Sequence, residues 1–415
     1  MTSSELPSNT WSLLQKLTFR FIFTYILLYI FLMFAVVFLE SPLKWFAENI
    51  LHWGSNLNVR STGSGDQTYN YVLIAFNLFL VLIIVPIWSY FDRNRNSYST
   101  LMHWFFLFIR IVLFLAMFLY GPVKLFKGQF PDHSLIRLLQ PVGEMSPMGL
   151  AWTFMGHSFM YNIFIGFAEV LGALLILYRR TVTLGSLVII GVMSNVAMMS
   201  FTYDIPVKLF SIHLLLMATV LLSADLKRVI KFFWKNEATK SVNYYNYTDS
   251  PSLRKIGSVL KSAVIFIVLA ATLIQVFVQF KIQDQLKERS EFYGIWEVQS
   301  FESNGMVLPP LTTDSFRWDY FIVDKKKKVI IKSMTGRRKL LNFELKPEDQ
   351  KIIFAYNIEM EKYPFSYAFN DSASLSMSGV LEGDSLSIQL RRKPLSDFQL
   401  INRGFRWVNE FPYNR

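Results

Sequence analysis

The chain has 415 residues, of which 52% are hydrophobic, 16% aromatic and 17% charged, and its formal net charge is +12. This composition is too apolar for an ordinary soluble chain of this length, so it predicts an integral membrane protein. The sequence contains no cysteine, which excludes disulfides, thiolate metal sites, iron–sulfur clusters and Cys-x-x-Cys redox chemistry carried by the chain itself. Because Lys and Arg lie mainly at the ends of apolar segments and in one late domain, membrane topology explains the positive charge better than a nucleic-acid partner does.

Long apolar stretches predict the membrane-spanning helices. A spanning helix needs about 20 mainly apolar residues. The stretches that satisfy this rule predict about seven crossings, at residues 18–39, 70–91, 101–120, 159–178, 182–203, 205–224 and 257–279. The first stretch is much longer than a signal-peptide core and has no small-residue cleavage pattern, so we interpret it as a spanning helix. Pro206 disfavours helix just before it, and we expect a break between two helices there.

The basic residues predict the orientation of these helices. If the chain alternates across the membrane, they fall on one side, which is then the cytoplasm: Lys16 and Arg20, Arg93 and Arg95, Arg179 and Arg180, and the segment Lys227 to Lys261 with the basic loop 229–256. Between the two helices of residues 1–100, the run KWFAENILHWGSN indicates an interfacial helix on the outer surface. We therefore expect a bacterial inner-membrane protein with a cytoplasmic N-terminus, and a periplasmic location for everything after Gln279.

The C-terminal part of the chain has a different pattern. After the last predicted helix (257–280) and a charged linker (281–292), residues 293–415 contain short runs in which apolar and polar residues alternate, such as GIWEVQSFE, KLLNFELK and SLSIQLRRK. Alternation with period two, interrupted by Gly and Asp turns, predicts an antiparallel sheet. About eight short strands suit a small closed barrel. The predicted fold class is a multi-pass α-helical membrane bundle followed by an antiparallel β-barrel.

A candidate polar site lies near the middle of the predicted helices. Counting residues from the span ends places Arg110, Glu169 and His213 near the midplane. Because an unpaired charge there is costly, we predict that Arg110 pairs with Glu169, either to fix helix registry or to handle a ligand or a proton. Asn195 completes this candidate site. For Asn195 and His213 a hydrogen bond between helices is the commoner role.

A second candidate site lies at the predicted outer mouth. The segments YGPVKLFKGQF, TFMGHSFMYN and TYDIPVKLF bring Lys124, His157, Asp204 and Lys208 to similar depth. The two lysines would bind an anionic headgroup or substrate, with Asp204 neutralising one of them. The alternative, favoured for either lysine alone, is a snorkelling side chain at a helix end.

The predicted barrel begins with a recognisable triplet. Gly294, Ile295 and Trp296 form the G-x-W pattern that opens lipocalin-like barrels, in which the Trp closes the barrel floor and a late cation stacks across it. The candidate cations are Arg391, Arg392 and Arg403. The tail RGFRWVNEFPYNR lacks strand alternation, so we expect it either to cap the barrel or to dock onto the membrane part.

Short motifs in the membrane part resemble the DoxX-like four-helix family over about residues 101–228. These motifs are R-x-x-L at Arg110 to Leu113, G-x-x-K-L at Gly121 to Leu125, G-x-x-E-x-x-G at Gly166 to Gly172, and D-x-P-x-K at Asp204 to Lys208. The resemblance implies a compact four-helix bundle with its N-terminus inside. Some members of that family are subunits of thiosulfate:quinone oxidoreductases, but the absence of cysteine leaves a sulfur relay without a nucleophile here.

Three functions remain open at this point. The leading hypothesis is an accessory or ligand-binding protein whose outer barrel binds an apolar, lipid-like molecule or a membrane or periplasmic protein partner. The alternative is a subunit of a quinone-linked oxidoreductase, in which Glu169 and His213 handle protons while Arg110 and Lys208 hold an anionic or quinone oxygen. A transporter ranks last, because neither an inverted repeat nor paired broken helices are present. The sequence shows no metal-ligand pair and no nucleotide-binding loop.

Overall fold

A computed structural model describes residues 10–54, 57, 62–239, 251–287, 289–325, 328–356 and 361–414. The chain divides into two compact units. The first, called the helical unit, comprises Met1–Gln129 and Phe159–Val276. The second, called the barrel unit, comprises Phe130–Ser158 and Phe277–Arg415. The segment 130–158 therefore groups with the barrel, although the sequence placed it inside a bundle of residues 101–228.

Apolar helices build the helical unit. Its helices are α1 (Leu13–Ala35), α2 (Glu40–Asn49), α3 (Thr68–Phe91), α4 (Ser99–Leu125), α7 (Phe159–Leu177), α8 (Val182–Thr202), α9 (Lys208–Ser223) and α10 (Leu226–Phe233). The barrel unit carries the short helices α5 (Leu135–Leu138), α6 (Pro147–His157) and α12 (Gln399–Asn402). A long helix, α11 (Pro251–Lys287), begins in the helical unit.

The number of membrane-spanning helices is slightly lower than predicted. Among the described residues, five helices are long and apolar enough to cross a membrane, namely α1, α3, α4, α7 and α8. The count rises to six if α9 and α10, which meet at 77°, form one broken span. The predicted seventh span lies within α11, whose described residues include the apolar stretch Ile265–Val278.

Glycines bring α4 and α7 into close contact. A Cβ atom on Gly166 would lie 2.7 Å from the carbonyl oxygen of Gly121 and 3.0 Å from the backbone nitrogen of Leu125. Since real Cβ atoms do not approach that closely, any larger residue would push the two helices apart. The crossing therefore depends on glycine, and it brings the last turn of α4 against the middle of α7.

The amphipathic helix α2 packs on one side only. Leu43, Phe46 and Ala47 are buried in a cluster with Val72 and Leu73 of α3. Its other face carries Trp45, which is exposed, as is Trp53 just beyond the helix. Exposed tryptophan beside membrane helices is typical of the interface between lipid and water.

The β domain is a closed antiparallel barrel, as predicted. Its strands are β1 (Gly294–Ser303), β2 (Met306–Val307), β3 (Trp318–Lys325), β4 (Lys328–Ser333), β5 (Arg338–Lys346), β6 (Lys351–Ala355), β7 (Tyr363–Phe369), β8 (Ser374–Leu381) and β9 (Asp384–Lys393). The strands from β3 to β9 pair in sequence order, and β9 pairs back onto β1. Eight strands close the barrel, while the short β2 extends only β1.

Aromatic side chains fill the barrel interior. Phe301, Trp318, Phe321, Phe354 and Phe365 are all at most 4% exposed. Their rings touch in series, with centroids 5.2 Å apart for Phe354 and Phe365 and 6.0 Å apart for Phe301 and Trp318. A barrel of eight strands has an interior just wide enough for its own side chains. The centre of this barrel is therefore a packed core.

The segment between α4 and α7 covers part of the outer wall of the barrel. Leu135 of α5 is buried against Ile295 of β1 and Ile322 of β3. Its backbone nitrogen also donates a hydrogen bond to the Asp324 carboxylate, at 3.2 Å. This apolar contact explains why residues 130–158 fold with the barrel.

Candidate functional site

The predicted pair of Arg110 and Glu169 does not form. Glu169 instead accepts a hydrogen bond from the Lys124 ammonium. Arg110 donates to the backbone carbonyl oxygens of Ile176 and Leu177, at 2.7 Å each, and so satisfies the C-terminal end of α7. The prediction failed because α4 continues to Leu125, beyond its predicted end at residue 120. Lys124 is therefore inside the helix, level with Glu169, rather than in the loop at its mouth.

The Lys124–Glu169 pair is almost completely buried. The two side chains are only 8% and 4% exposed. Within the described part of the chain, the second carboxylate oxygen of Glu169, Oε2, has no hydrogen-bond partner. The close crossing places Glu169 directly against α4, since a Cβ atom on Gly121 would lie 3.2 Å from the Cβ atom of Glu169. The remaining oxygen can accept a proton or a hydrogen bond.

His213 joins α9 to α1 by a hydrogen bond, and its two ring nitrogens have different partners. Its Nδ1 atom lies 2.6 Å from the carbonyl oxygen of Leu209, which can only accept, so Nδ1 carries the proton. The Nε2 atom then accepts from the Tyr25 hydroxyl at 2.8 Å. Tyr29 stacks on the imidazole with ring centroids 3.8 Å apart. The predicted hydrogen bond between helices is present for His213, and its partner is Tyr25.

A cavity of about 620 Å³ lies between α1, α3, α4 and α9. Most of its lining is aliphatic or aromatic, including Ile30, Met33, Leu73, Val112, Leu115, Ala116, Leu119, Phe210 and Leu214. A smaller set of lining residues carries polar atoms: Tyr29, Ser64, Tyr69, Asn70 and Tyr120. Tyr29 also stacks on His213, so the histidine supports one wall of the cavity.

A loop before α3 holds one edge of this cavity in place. The Asp66 carboxylate accepts hydrogen bonds from the backbone nitrogens of Lys208 and Leu209, at 2.9 and 3.0 Å, and so caps the start of α9. The Gly65 nitrogen donates to the Pro206 carbonyl oxygen at 2.8 Å. Sequence reasoning missed Asp66, because a cap supplied from far along the chain leaves no local pattern.

The predicted outer-mouth residues take separate partners. Lys208 pairs with Asp204 at 2.8 Å and lies 3.7 Å from Asp66. Lys124 forms its ion pair with Glu169. His157 is an exposed residue of the barrel unit, where its ring lies 6.1 Å from that of His133. Since Lys124 and Lys208 have different carboxylate partners, the two lysines do not form one anion site.

Asn195 does not belong to an interior site either. It is exposed on the surface of α8, whereas Glu169 and His213 are buried. The predicted midplane set therefore separates into the Lys124–Glu169 pair, the Arg110 cap and the His213 bridge. The predicted depths were therefore wrong for two of these residues, because Arg110 is level with the end of α7 and Lys124 is level with Glu169.

A buried arginine network was missed at the other end of the bundle. Arg20, assigned only as a cytoplasmic charge, is 2% exposed. It donates to the Tyr98 hydroxyl at 2.6 and 2.9 Å and to the Asp92 carbonyl oxygen at 3.1 Å. Tyr98 in turn donates to the Asp92 carboxylate, and this hydrogen bond, with a weaker one from Trp88, lowers the pKa of Asp92. The network ties α1 to the α3–α4 turn.

At one end of the barrel, an arginine stacks on the tryptophan of the predicted G-x-W triplet. The Arg392 guanidinium lies 4.4 Å from the centre of the Trp296 ring, and it donates to the Glu291 carbonyl oxygen at 2.7 Å. The Trp296 indole donates to the Phe292 carbonyl oxygen at 2.8 Å. Gly294 has a φ of +143°, a conformation that favours glycine. These contacts cover the barrel end and use the indole nitrogen of Trp296.

Comparison with known proteins identifies a relative of unassigned function. The chain is 32% identical over 133 residues to the "Uncharacterized protein YwoB" of Bacillus subtilis (strain 168), a match that covers 30% of this chain and 79% of the relative. No protein-family model matches the chain, and no solved structure matches it significantly. The resemblance to DoxX-like proteins thus stays a prediction.

Proposed function

This chain belongs to the family of the Bacillus subtilis protein YwoB, and we propose that it is an inner-membrane protein that binds a lipid-soluble molecule in the cavity between α1, α3, α4 and α9. The name of the relative assigns no activity, so the proposal rests on the geometry of this chain. The proposed role is binding. It agrees with the accessory function that the sequence favoured.

The cavity is the observation that carries the proposal. Its volume of about 620 Å³ lies within the range of pockets that hold small molecules, about 300–1,000 Å³. The lining is mainly apolar, with few polar groups, as is typical of such pockets. An apolar body with a polar end fits this lining better than a sugar or a nucleotide does.

The polar lining atoms indicate how the molecule would be oriented. Ser64, Tyr69 and Asn70 lie in or just after the loop that Asp66 fixes against α9. The apolar residues, such as Leu115 and Leu214, lie in the middle of α4 and α9. A ligand would place its polar end beside the loop and its apolar part between the helices.

The described residues of the barrel leave no comparable space at its centre. Its centre is occupied by the rings of Phe301, Trp318, Phe321, Phe354 and Phe365. An apolar ligand at that position would have to displace several of these side chains. We therefore assign ligand binding to the helical unit, and we propose that the barrel serves the accessory function through its outer surface.

We further propose that the N-terminus is cytoplasmic and the barrel periplasmic, an arrangement in which α9 and α11 cross the membrane in addition to the five long apolar helices. Leu135 packs on Ile295 and Ile322 of the barrel, so the α4–α7 connection and the barrel must lie on the same side of the membrane. The basic residues near α1 and between α7 and α8, such as Arg179 and Arg180, favour the cytoplasm for the opposite side. Single cysteines at exposed Leu340 and at exposed Arg180 test this, because the chain has no cysteine of its own. A membrane-impermeant maleimide should label intact spheroplasts at position 340 and not at position 180, and the reverse result would overturn the orientation.

Native mass spectrometry of the full-length protein tests the binding proposal. Three proteins are compared in the same detergent: the wild type, Leu115→Trp, which fills the cavity, and Leu184→Trp, which adds the same bulk on an exposed face of α8. We expect a stoichiometric small molecule on the wild type and on Leu184→Trp, and its loss from Leu115→Trp. Equal occupancy of the two variants, or no bound molecule on any of the three, contradicts the proposal.

The mass of the bound molecule separates the two leading functions. The quinone-linked alternative is favoured by the hydrogen-bonded chain beside the cavity, in which Tyr25 donates to His213 and Tyr29 stacks on it. A quinone lost from Leu115→Trp would support the oxidoreductase subunit. A phospholipid or another non-redox molecule would support the accessory binding role.

A further inference from the structure

Helix α10 carries an apolar stripe opposite a basic face. Leu226, Val229, Ile230 and Phe233 follow the spacing i, i+3, i+4, i+7, which places them on one side of the helix. Lys227, Arg228 and Lys231 fall between them, on the other side. The helix therefore has the composition of an amphipathic segment with a cationic face.

The apolar side of this helix is uncovered by the described part of the chain. Leu226 and Ile230 are each 43% exposed, and Phe233 is 72% exposed. Trp234, immediately after the helix, is 88% exposed. In a protein with spanning helices, tryptophan at a helix end is typical of the headgroup region.

Contacts at the junction between α9 and α10 set the direction of α10. It meets α9 at 77°. The Asp225 carboxylate holds the bend, because it accepts a hydrogen bond from the Thr183 hydroxyl of α8 and pairs with Arg228 of α10 at 3.1 Å. Since α9 packs along the spanning helix α8, a turn of this size directs α10 along the membrane surface instead of across it.

We propose that α10 is an interfacial helix that binds the phosphate groups of anionic lipids at the inner end of the bundle. In this arrangement Leu226, Ile230 and Phe233 enter the acyl region, while Lys227 and Lys231 contact headgroups. The segment favours anions, because it has four cations, Lys227, Arg228, Lys231 and Lys235, against two carboxylates, Asp225 and Glu237. The proposal does not depend on a ligand in the cavity.

Depth measurements on the full-length protein test the position of the helix. Because the chain has no cysteine, a spin label can be attached at Phe233→Cys on the apolar side and at Lys227→Cys on the basic side. The labelled proteins are placed in nanodiscs of phosphatidylcholine with or without phosphatidylglycerol. We expect the label at 233 to be relaxed mainly by oxygen, and the label at 227 mainly by a water-soluble nickel complex.

Two outcomes of that experiment overturn the proposal. Relaxation by nickel at both positions would place α10 in water, clear of the bilayer. Relaxation by oxygen at both positions would place it in the acyl region, so that α9 and α10 would form one broken span. Only opposite preferences at the two sites support an interfacial helix.

Lipid selectivity tests the role of the cations. The double variant Lys227→Gln with Lys231→Gln should lose preference for phosphatidylglycerol over phosphatidylcholine, by roughly fivefold for each cation removed. The control is Lys346→Gln with Lys351→Gln, which removes two exposed lysines of the barrel. Lipid preference is measured by native mass spectrometry from mixed nanodiscs. Unchanged preference in the α10 variant, or an equal loss in both variants, rejects binding by Lys227 and Lys231.

Discussion

The barrel unit and the helical unit differ in how they use their interiors. In the barrel, alternating strands direct apolar side chains inward and aromatic rings occupy the centre. In the helical unit, a cavity of about 620 Å³ remains, and a buried carboxylate oxygen of Glu169 has no hydrogen-bond partner among the described residues. The comparison teaches that space and unused polar atoms, rather than apolar composition, distinguish the unit for which we propose small-molecule binding.

The buried charge of the helical unit gives the largest expected effect. Lys124→Ala should lower the free energy of unfolding by about 3–5 kcal/mol, because it leaves the Glu169 carboxylate buried without a cation. Thermal unfolding in detergent measures this change. Lys44→Ala is the control, since Lys44 and Glu40 form an exposed pair, 39% and 49% exposed, worth at most about 1 kcal/mol.

A combined variant tests the origin of that loss. Lys124→Met together with Glu169→Leu removes both charges, so most of the stability should return. If the double variant is as unstable as Lys124→Ala, the loss comes from packing and not from an unpaired charge.

Truncation of one core side chain tests whether the barrel is filled. Phe354→Ala should cost about 3–5 kcal/mol, because Phe354 is fully buried and its surroundings cannot collapse. Leu115→Ala in the cavity wall should cost about 1 kcal/mol or less, since Leu115 is already 42% exposed. Pulse proteolysis of the full-length protein measures both changes. Similar costs at the two positions would remove the distinction between a filled and an unfilled interior.

The glycine crossing of α4 and α7 gives a moderate effect. Gly166→Ala should cost about 1–3 kcal/mol, because its new methyl group would overlap the Gly121 carbonyl oxygen. Gly191→Ala on α8 is the matched control, since a Cβ there meets nothing within 4 Å. The prediction fails if the two alanine variants unfold at the same temperature.

Loss of the Asp66 cap should have a smaller effect. Asp66→Ala removes two hydrogen bonds at the start of α9, which is worth about 0.5–2 kcal/mol, whereas Asp66→Asn should cap nearly as well. Hydrogen exchange at the Lys208 and Leu209 amides reports the change directly. Slow exchange in Asp66→Ala would show that the loop is held by other contacts.

The smallest expected effect is on the pH dependence of barrel stability, through a glutamate on the barrel surface. Hydrogen bonds from Tyr356 and Lys339 lower the pKa of Glu382 from its ordinary value of 4.5. Because the folded pKa is the lower one, this stabilisation is present above pH 4.5 and is lost as the pH falls through the folded pKa. Glu382→Gln should weaken this acid dependence of barrel unfolding slightly, as the side chain is 41% exposed. Glu348→Gln, at another exposed glutamate, should retain it.

The sequence by itself determined the type of each region. Runs of about 20 apolar residues predict spanning helices, and alternation with period two predicts the strands that close the barrel. These patterns are local, because each reflects the repeat of one element and the solvent that it faces. Among the described residues, the number of helices able to cross a membrane, five or six, is slightly lower than the seven predicted.

The tertiary structure alone decided which side chains meet. Lys124 replaced Arg110 as the partner of Glu169, because α4 runs one turn further than its hydropathy indicates and the glycines set its rotation against α7. The Asp66 cap and the packing of Leu135 on the barrel join residues far apart in the chain. A helix places neighbouring residues on different faces, so a small change in its end or rotation changes every contact while leaving its apolar pattern intact.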